Sequence, residues 1–95
     1  MTKIDIVVYT KPERLQKLQE EKGECHWKLR KLPIKMRTEN AGRIYIAVRG
    51  FVVGSFKITA VSKYNNELTF NSSSWTPLLQ PIKCTPFKTY RYRWW

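Results

Sequence analysis

The 95-residue sequence is poor in the residues that define several common protein classes. It has only two cysteines, four glycines and seven acidic residues. Two cysteines without CxxC spacing provide neither a disulfide framework nor enough ligands for a zinc site. The longest uncharged stretch, residues 68–82, is rich in Ser, Pro and Gln, so we expect no membrane span. The length fits a single domain over residues 1–95.

We expect no secretory leader in the first residues. The apolar side chains of residues 4–8 form a short alternating run, which differs from the continuous apolar core of a signal peptide. We therefore expect a cytoplasmic protein in which Cys25 and Cys84 are reduced thiols.

Groups that could perform catalysis are sparse. His26 is the single histidine, and Cys25 beside it would point to the opposite face of a strand, so the two cannot form a nucleophile–base pair. The sequence shows no Gly-rich phosphate loop, paired carboxylates or Ser-His-Asp set. We therefore expect no catalytic residue, no metal and no cofactor, and we favour a non-enzymatic function.

Positive charge is what the sequence has in excess. Eighteen Lys and Arg give a net charge of +11 and a pI near 10.0. Residues 1–24 hold five acids and five bases, whereas residues 25–95 hold thirteen bases and two acids. Such a surface repels itself unless a polyanion shares it, which makes nucleic acid the first partner to consider.

Apolar periodicity predicts a mostly β protein with one helix. The helix is expected to begin at Thr10 as its N-cap and to end near Lys22, before Gly23. Residues 71–86, with three prolines, are expected to form a long ordered loop. Alternation predicts strands over residues 3–9, 25–30, 43–49, 52–60, 68–70 and 87–95. The fold class is therefore α+β, mostly β: a small mixed or antiparallel barrel of five to six strands with one N-terminal surface helix.

The central stretch carries a family resemblance. Gly-Arg-Ile-Tyr at residues 42–45 is followed by a hairpin and by Val-Val-Gly-Ser-Phe-Lys-Ile at residues 52–58. Over residues 22–62 this pattern resembles the PUA-like superfamily, and within it the ASCH- and EVE-type domains. The resemblance implies a small pseudo-barrel whose members mostly bind RNA, and in some branches modified bases in DNA or RNA. Within the second strand, Gly54 is expected to allow a bend or bulge.

The same resemblance leaves an enzyme open as an alternative. Some ASCH-type relatives resemble small amidohydrolases that act on acylated nucleosides with a Lys, a Thr and a Glu. Their usual motif would fall on residues 23–30, where Lys28 stands in place of the acid. The remaining candidates are Lys35 and Thr38, with Glu39 or Glu67. A third alternative follows from charge alone, namely a basic adaptor that binds an acidic protein.

Basic residues predict a phosphate-binding track. Residues 25–37 contain five bases and no acid, and Lys28 and Arg30 share one strand face. Each phosphate that such a face neutralises releases counterions and steepens the salt dependence of binding. The predicted contacts are Lys28, Arg30, Lys35, Arg37, Arg43, Arg49, Arg91 and Arg93.

Two tryptophans are the candidates for base stacking. Trp75 lies in the Ser-rich loop without a strand pattern, whereas Trp27 alternates with buried-type residues, so packing in the core is its alternative role. Alternation over residues 90–94 predicts aromatic rings in the core and arginines on the binding face. The sequence thus predicts a nucleic-acid-binding module with a Trp-lined base pocket and a ligand of RNA or DNA, RNA favoured, including strands with a modified base. The oligomeric state is left open.

Overall fold

A computed structural model describes residues 3–95 of the chain. Strands account for 49% of the structure, so the predicted class, α+β and mostly β with one helix, is confirmed. The strands are β1 (Ile4–Tyr9), β2 (Glu24–Lys28), β3 (Ala41–Val48), β4 (Phe51–Ser62), β5 (Glu67–Asn71), β6 (Thr76–Lys83) and β7 (Arg91–Tyr92). Helix α1 spans Pro12–Glu20, and two short 3-10 helices span Thr38–Asn40 and Ser72–Ser74.

The seven strands form one mixed sheet in the order β2-β5-β4-β3-β1-β7, with β6 also paired to β4. β1 runs parallel to β3, and the other pairs are antiparallel. The β3–β4 hairpin turns at Arg49 and Gly50, which both have positive φ, as a two-residue type I′ turn requires. The sheet does not close into the predicted barrel, because its end strands β2 and β7 do not pair with each other within residues 3–95.

Both faces of the central strands are buried, which explains why β3 is apolar on both sides. Ile44 and Ile46 face the larger cluster, together with Leu15 and Leu18 of α1. The other face of the sheet holds a smaller cluster, formed by Val7, Tyr45, Ala47, Val52 and Cys84 and covered by residues after β6. Burying apolar side chains on both faces is the main source of stability for a domain of this size.

β4 is long enough to pair with two strands along one of its edges. Its first half pairs with β6 and its second half with β5, and a register shift interrupts each of the two pairings. Gly54 lies in the first half, where a Cβ would come within 2.6 Å of the Trp75 ring and 2.8 Å of the Thr76 carbonyl. Glycine is therefore required there for the close approach of Trp75, besides any bend in the strand.

Two expectations about local structure were wrong. Residues 71–86 contain the strand β6 instead of a continuous loop, which accounts for a total of seven strands rather than five or six. Alternation failed to identify β6 because it is a mostly exposed edge strand, where prolines such as Pro77 and Pro81 are tolerated. Helix α1 ends at Glu20, and its N-cap is Lys11, whose side chain makes no capping bond. The predicted N-cap, Thr10, lies one residue earlier, where its amide donates to the Ala47 carbonyl of β3.

Within residues 3–95, no helix has the length and apolar character needed to cross a membrane.

Candidate functional site

A cleft of about 290 Å³ opens between α1, the end of β2 and residues 88–89. Its lining includes four cations from three separate parts of the chain, and among the described residues it includes no acid. We name this recess the cationic cleft and its four charged residues the cleft cations: Arg14, Lys28, Arg30 and Lys88.

Trp27 forms part of the cleft wall, although only 3% of its surface is exposed. Along β2 buried and exposed residues alternate, so Trp27 points into the core while Lys28 points outward. The Arg14 guanidinium lies 3.7 Å from the centre of the Trp27 ring, which is the geometry of a cation–π contact. The ring therefore positions a charge at the cleft.

Hydrogen bonds to the backbone fix the chain at residues 29–30, beside the cleft. After β2 the Leu29 amide donates to the Asn66 carbonyl at 2.9 Å, and the Asn66 side chain donates to the Arg30 carbonyl at 3.2 Å. These bonds tie Arg30 to the β4–β5 turn. Across the cleft, Thr89 has a φ of 67°, a conformation seldom adopted by a threonine, at the bend that brings Lys88 to the lining.

Two acids on the strands beside the cleft, Glu24 and Glu67, lie against His26. Its ring nitrogens lie 3.3 Å from carboxylate oxygens of Glu24 and Glu67 on the exposed face of β2 and β5. Glu67 is also the cross-strand neighbour of Lys28, and it is the one acid in register with a cleft cation. No carboxylate within residues 3–95 lies within 4 Å of a cleft cation. The positive potential of the cleft is therefore only weakly compensated.

Arg43, a predicted phosphate contact, is held by hydrogen bonds inside the protein. Its Nε donates to the hydroxyl of the buried Ser55 at 2.7 Å. Its Nη2 donates to the Ser74 carbonyl at 3.1 Å and to the Thr76 hydroxyl at 2.9 Å. Arg43 thus joins β3 to β4 and β6, and its role as a phosphate contact stays a prediction.

Arg93 has a similar internal role. Its Nη1 lies 3.3 Å from Asp5 Oδ2 and 3.0 Å from the Tyr45 hydroxyl. The guanidinium is also 5.1 Å from the ring centres of Tyr45 and Trp95. These contacts attach residues after β7 to β1 and β3, so the charge of Arg93 is partly neutralised by Asp5.

The other predicted phosphate contacts do not line the cleft. Lys35 and Arg37 are exposed in the loop before β3, and Arg37 borders a separate recess of about 520 Å³. Arg49 lies in the β3–β4 turn, and Arg91 lies with its guanidinium 4.7 Å from the centre of the Trp94 ring. Two of the eight predicted contacts therefore share the cleft, and the roles of the other six stay predictions.

Both tryptophans predicted to stack on a base pack against the protein itself. Arg14 covers one face of Trp27, and the Trp75 ring lies 4.9 Å from Phe56 and directly over Gly54. Their base-stacking role stays a prediction. The expectation that the rings of residues 90–94 are core was wrong for two of them, because Tyr92 is 57% and Trp94 41% exposed. β7 is a two-residue edge strand, so little of the sheet covers these rings.

Two of the four residues of the hydrolase alternative, Thr38 and Glu67, make contacts within the protein. The Thr38 hydroxyl accepts from the Val61 amide at 3.0 Å, while the carboxylate of Glu67 lies against His26. Burial, with Glu21 beside it, raises the pKa of the Cys25 thiol to about 11, so this thiol is protonated at neutral pH. No group of three His, Cys, Asp or Glu side chains suited to a metal occurs in the described part of the chain.

Sequence reasoning missed two of the four cleft cations. Arg14 belongs to the charge-balanced first quarter of the chain, and Lys88 lies more than fifty residues beyond Arg30. No local signal joins them to β2, because the cleft is created by tertiary packing. The only hint for Arg14 is its position on a predicted surface helix that follows the first strand.

No protein-family model, curated protein or solved structure matches the chain.

Proposed function

We propose that this protein is a nucleic-acid-binding module that holds the phosphate backbone in the cationic cleft. The observation that carries the proposal is the convergence of Arg14, Lys28, Arg30 and Lys88 on one recess that no acid lines within residues 3–95. Cations brought together without compensating acids attract a polyanion and release its counterions when it binds.

The shape and chemistry of the cleft fit phosphate better than an apolar ligand. Two of the cations are arginines, whose planar guanidinium groups donate two parallel hydrogen bonds to phosphate oxygens. The Thr89 side chain lines the same recess and adds a hydroxyl that can donate to a phosphate. Contacts of this kind position a strand without distinguishing its sequence.

RNA is proposed ahead of DNA on the resemblance of residues 22–62 to PUA-like domains, which mostly bind RNA. That resemblance also motivates a trial of strands with modified bases. Neither preference follows from the cationic cleft, because phosphates are common to both nucleic acids.

The test is a salt titration of binding. Fluorescence anisotropy with a labelled single-stranded RNA 16-mer gives the affinity between 50 and 300 mM salt for the wild type and three variants. We expect Arg30→Ala and Lys88→Ala each to lower the slope of log K against log salt by about 0.7, the value for one phosphate of a single strand. Lys57→Ala is the matched control, since Lys57 is exposed on β4 and does not line the cleft.

Two results would overturn the proposal. One is failure of the wild type to bind RNA or DNA of either strandedness at 50 mM salt. The other is an equal loss of slope in Lys57→Ala and in the cleft variants, which would show diffuse attraction to the whole basic surface. A pull-down that still retains an acidic protein after nuclease treatment would then support the adaptor alternative.

A further inference from the structure

A second recess lies at the opposite end of the edge formed by β1 and β7. It has a volume of about 360 Å³, and its walls include the rings of Tyr92 and Trp95 and the cations Lys3 and Arg93. This volume is within the range of small-ligand sites, which begins at about 300 Å³. We name this recess the aromatic slot.

The rings of the slot are held in position without a ligand. Trp95 packs edge-to-face on Tyr45, with ring centres 4.9 Å apart, and on Trp94, with centres 5.0 Å apart. Arg93 lies 5.1 Å from the centre of the Trp95 ring while it binds Asp5. Tyr92 is 57% exposed, so part of its ring remains open to a partner. Pre-positioned rings lose little entropy when a planar group stacks on them.

The slot and the cationic cleft lie along the same two segments. In β1, Ile4 and Asp5 line the slot, whereas Val8 and Tyr9 line the cleft. Val8 lies four residue steps beyond Ile4 along β1, a distance of about 13 Å at roughly 3.3 Å per residue. Successive nucleotides of a stacked strand rise about 3.4 Å, so one strand of about four nucleotides can span both recesses.

We propose that the aromatic slot stacks one unpaired base of the strand whose phosphates bind in the cationic cleft. This inference rests on the proposed function and narrows the ligand to single-stranded nucleic acid. Bases in a duplex are stacked on one another and paired, so they cannot reach an aromatic ring without being extruded.

The slot favours stacking over base-specific recognition. Both carboxylate oxygens of Asp5 already accept bonds, one from the Arg43 amide at 2.8 Å and one from Arg93 at 3.3 Å. Lys3 donates to the Glu39 carbonyl at 3.3 Å and retains further N–H groups for a phosphate or base oxygen. Because every base has a π-face, such a site tolerates different sequences.

The first experiment compares a mixed-sequence single-stranded RNA 10-mer with the same strand annealed to its complement. Tyr92→Ala should weaken single-strand binding about 5- to 150-fold, the range observed when a stacking ring is removed. Tyr92→Phe keeps the ring and should bind within about twofold of the wild type. Duplex binding should be equal for all three proteins, because it depends on the phosphates alone.

A second experiment uses the wild-type protein, so it does not depend on the folding of any variant. An abasic nucleotide is moved through the 10-mer one position at a time. We expect a loss of affinity, within the same fold range, when the missing base is the one that occupies the slot. In Tyr92→Ala the same abasic substitution should have no effect, because this variant lacks the ring on which the missing base would stack.

These outcomes separate failure of the slot from failure of the proposed function. If Arg30→Ala weakens RNA binding while Tyr92→Ala and every abasic position leave it unchanged, the cleft stands and the slot is overturned. The slot is also overturned if Tyr92→Ala weakens duplex and single-strand binding equally. If the wild type binds no nucleic acid at 50 mM salt, the proposed function itself fails.

Discussion

Arg30 and Arg43 belong to the same basic part of the sequence, yet their surroundings in the fold are opposite. Arg43 makes three side-chain hydrogen bonds to β4, β6 and the 3-10 helix before β6. Arg30 projects into a recess with three other cations and, in the described chain, has no carboxylate within 4 Å. The comparison teaches that net charge indicates a polyanion partner, whereas internal hydrogen bonds decide which cations are available to it.

The largest effect expected from this comparison is on stability. Arg43→Ala removes all three bonds and leaves the buried Ser55 hydroxyl without its donor. Hydrogen bonds to charged groups contribute more than neutral ones, so the free energy of unfolding should fall by about 2–3 kcal/mol. Urea denaturation measures the change. Arg30→Ala is the matched control and should stay within about 0.5 kcal/mol of the wild type. Equal destabilisation by both would contradict the distinction.

The next effect concerns binding. Lys28→Ala combined with Arg30→Ala should weaken binding of the single-stranded RNA roughly 10-fold at 100 mM salt, because two phosphate contacts are lost. Anisotropy with the labelled 16-mer measures it. The control pair Lys35→Ala with Arg37→Ala removes the same charge from the loop before β3, outside the cleft. We expect a loss below about threefold from that pair. If the control pair instead lost as much affinity as the cleft pair, the RNA-binding surface would include the loop before β3.

A smaller effect is expected at Arg93, which resembles Arg43 but is more exposed. Its ion pair with Asp5 has 38% and 22% of the two side chains exposed, so solvent screens much of the attraction. Together with the bond to the Tyr45 hydroxyl, this predicts a loss of about 1 kcal/mol in unfolding free energy for Arg93→Ala. Arg91→Ala loses only cation–π contacts, to Trp94 at 4.7 Å and Phe87 at 5.7 Å, and should cost about 0.5 kcal/mol or less. Urea denaturation of both variants tests the order, and a larger loss in Arg91→Ala would reverse it.

Local patterns in the sequence predicted most of the strands that pack against the core. The alternation over residues 25–29 predicts one strand face for Cys25, Trp27 and Leu29, and all three are buried. For Trp27 this agrees with the alternative of packing in the core. The central hairpin, with strands over residues 43–49 and 52–60, was likewise predicted. These features depend on neighbours in the chain, whose side chains alternate between faces of a strand.

Long-range packing explains what the sequence did not predict. Arg14 reaches the cleft because α1 packs beside β2, and Lys88 reaches it because residues after β6 fold back over β1. Tyr92 occupies a position at which the alternation predicts a core residue. It is nevertheless exposed, because β7 lies at the edge of the sheet and pairs only with β1. The PUA-like resemblance stays a prediction, since it rests on residues 22–62 and no comparison bears on it.

The smallest expected effect tests the acid that lies opposite a cleft cation in the sheet. Glu67 faces Lys28 across the β2–β5 pair, where opposed Cβ atoms are about 5 Å apart. The two charged groups are more than 4 Å apart. Unit charges about 5 Å apart in water interact by only about 0.8 kcal/mol, and salt reduces this further. Glu67→Gln should therefore tighten RNA binding about twofold at 50 mM salt, since Lys28 no longer shares its charge with a carboxylate. Glu20→Gln makes the same change of net charge on α1, outside the cleft lining, and should change the affinity less. If both substitutions tighten binding equally, the whole basic surface, and not the cationic cleft, governs the affinity.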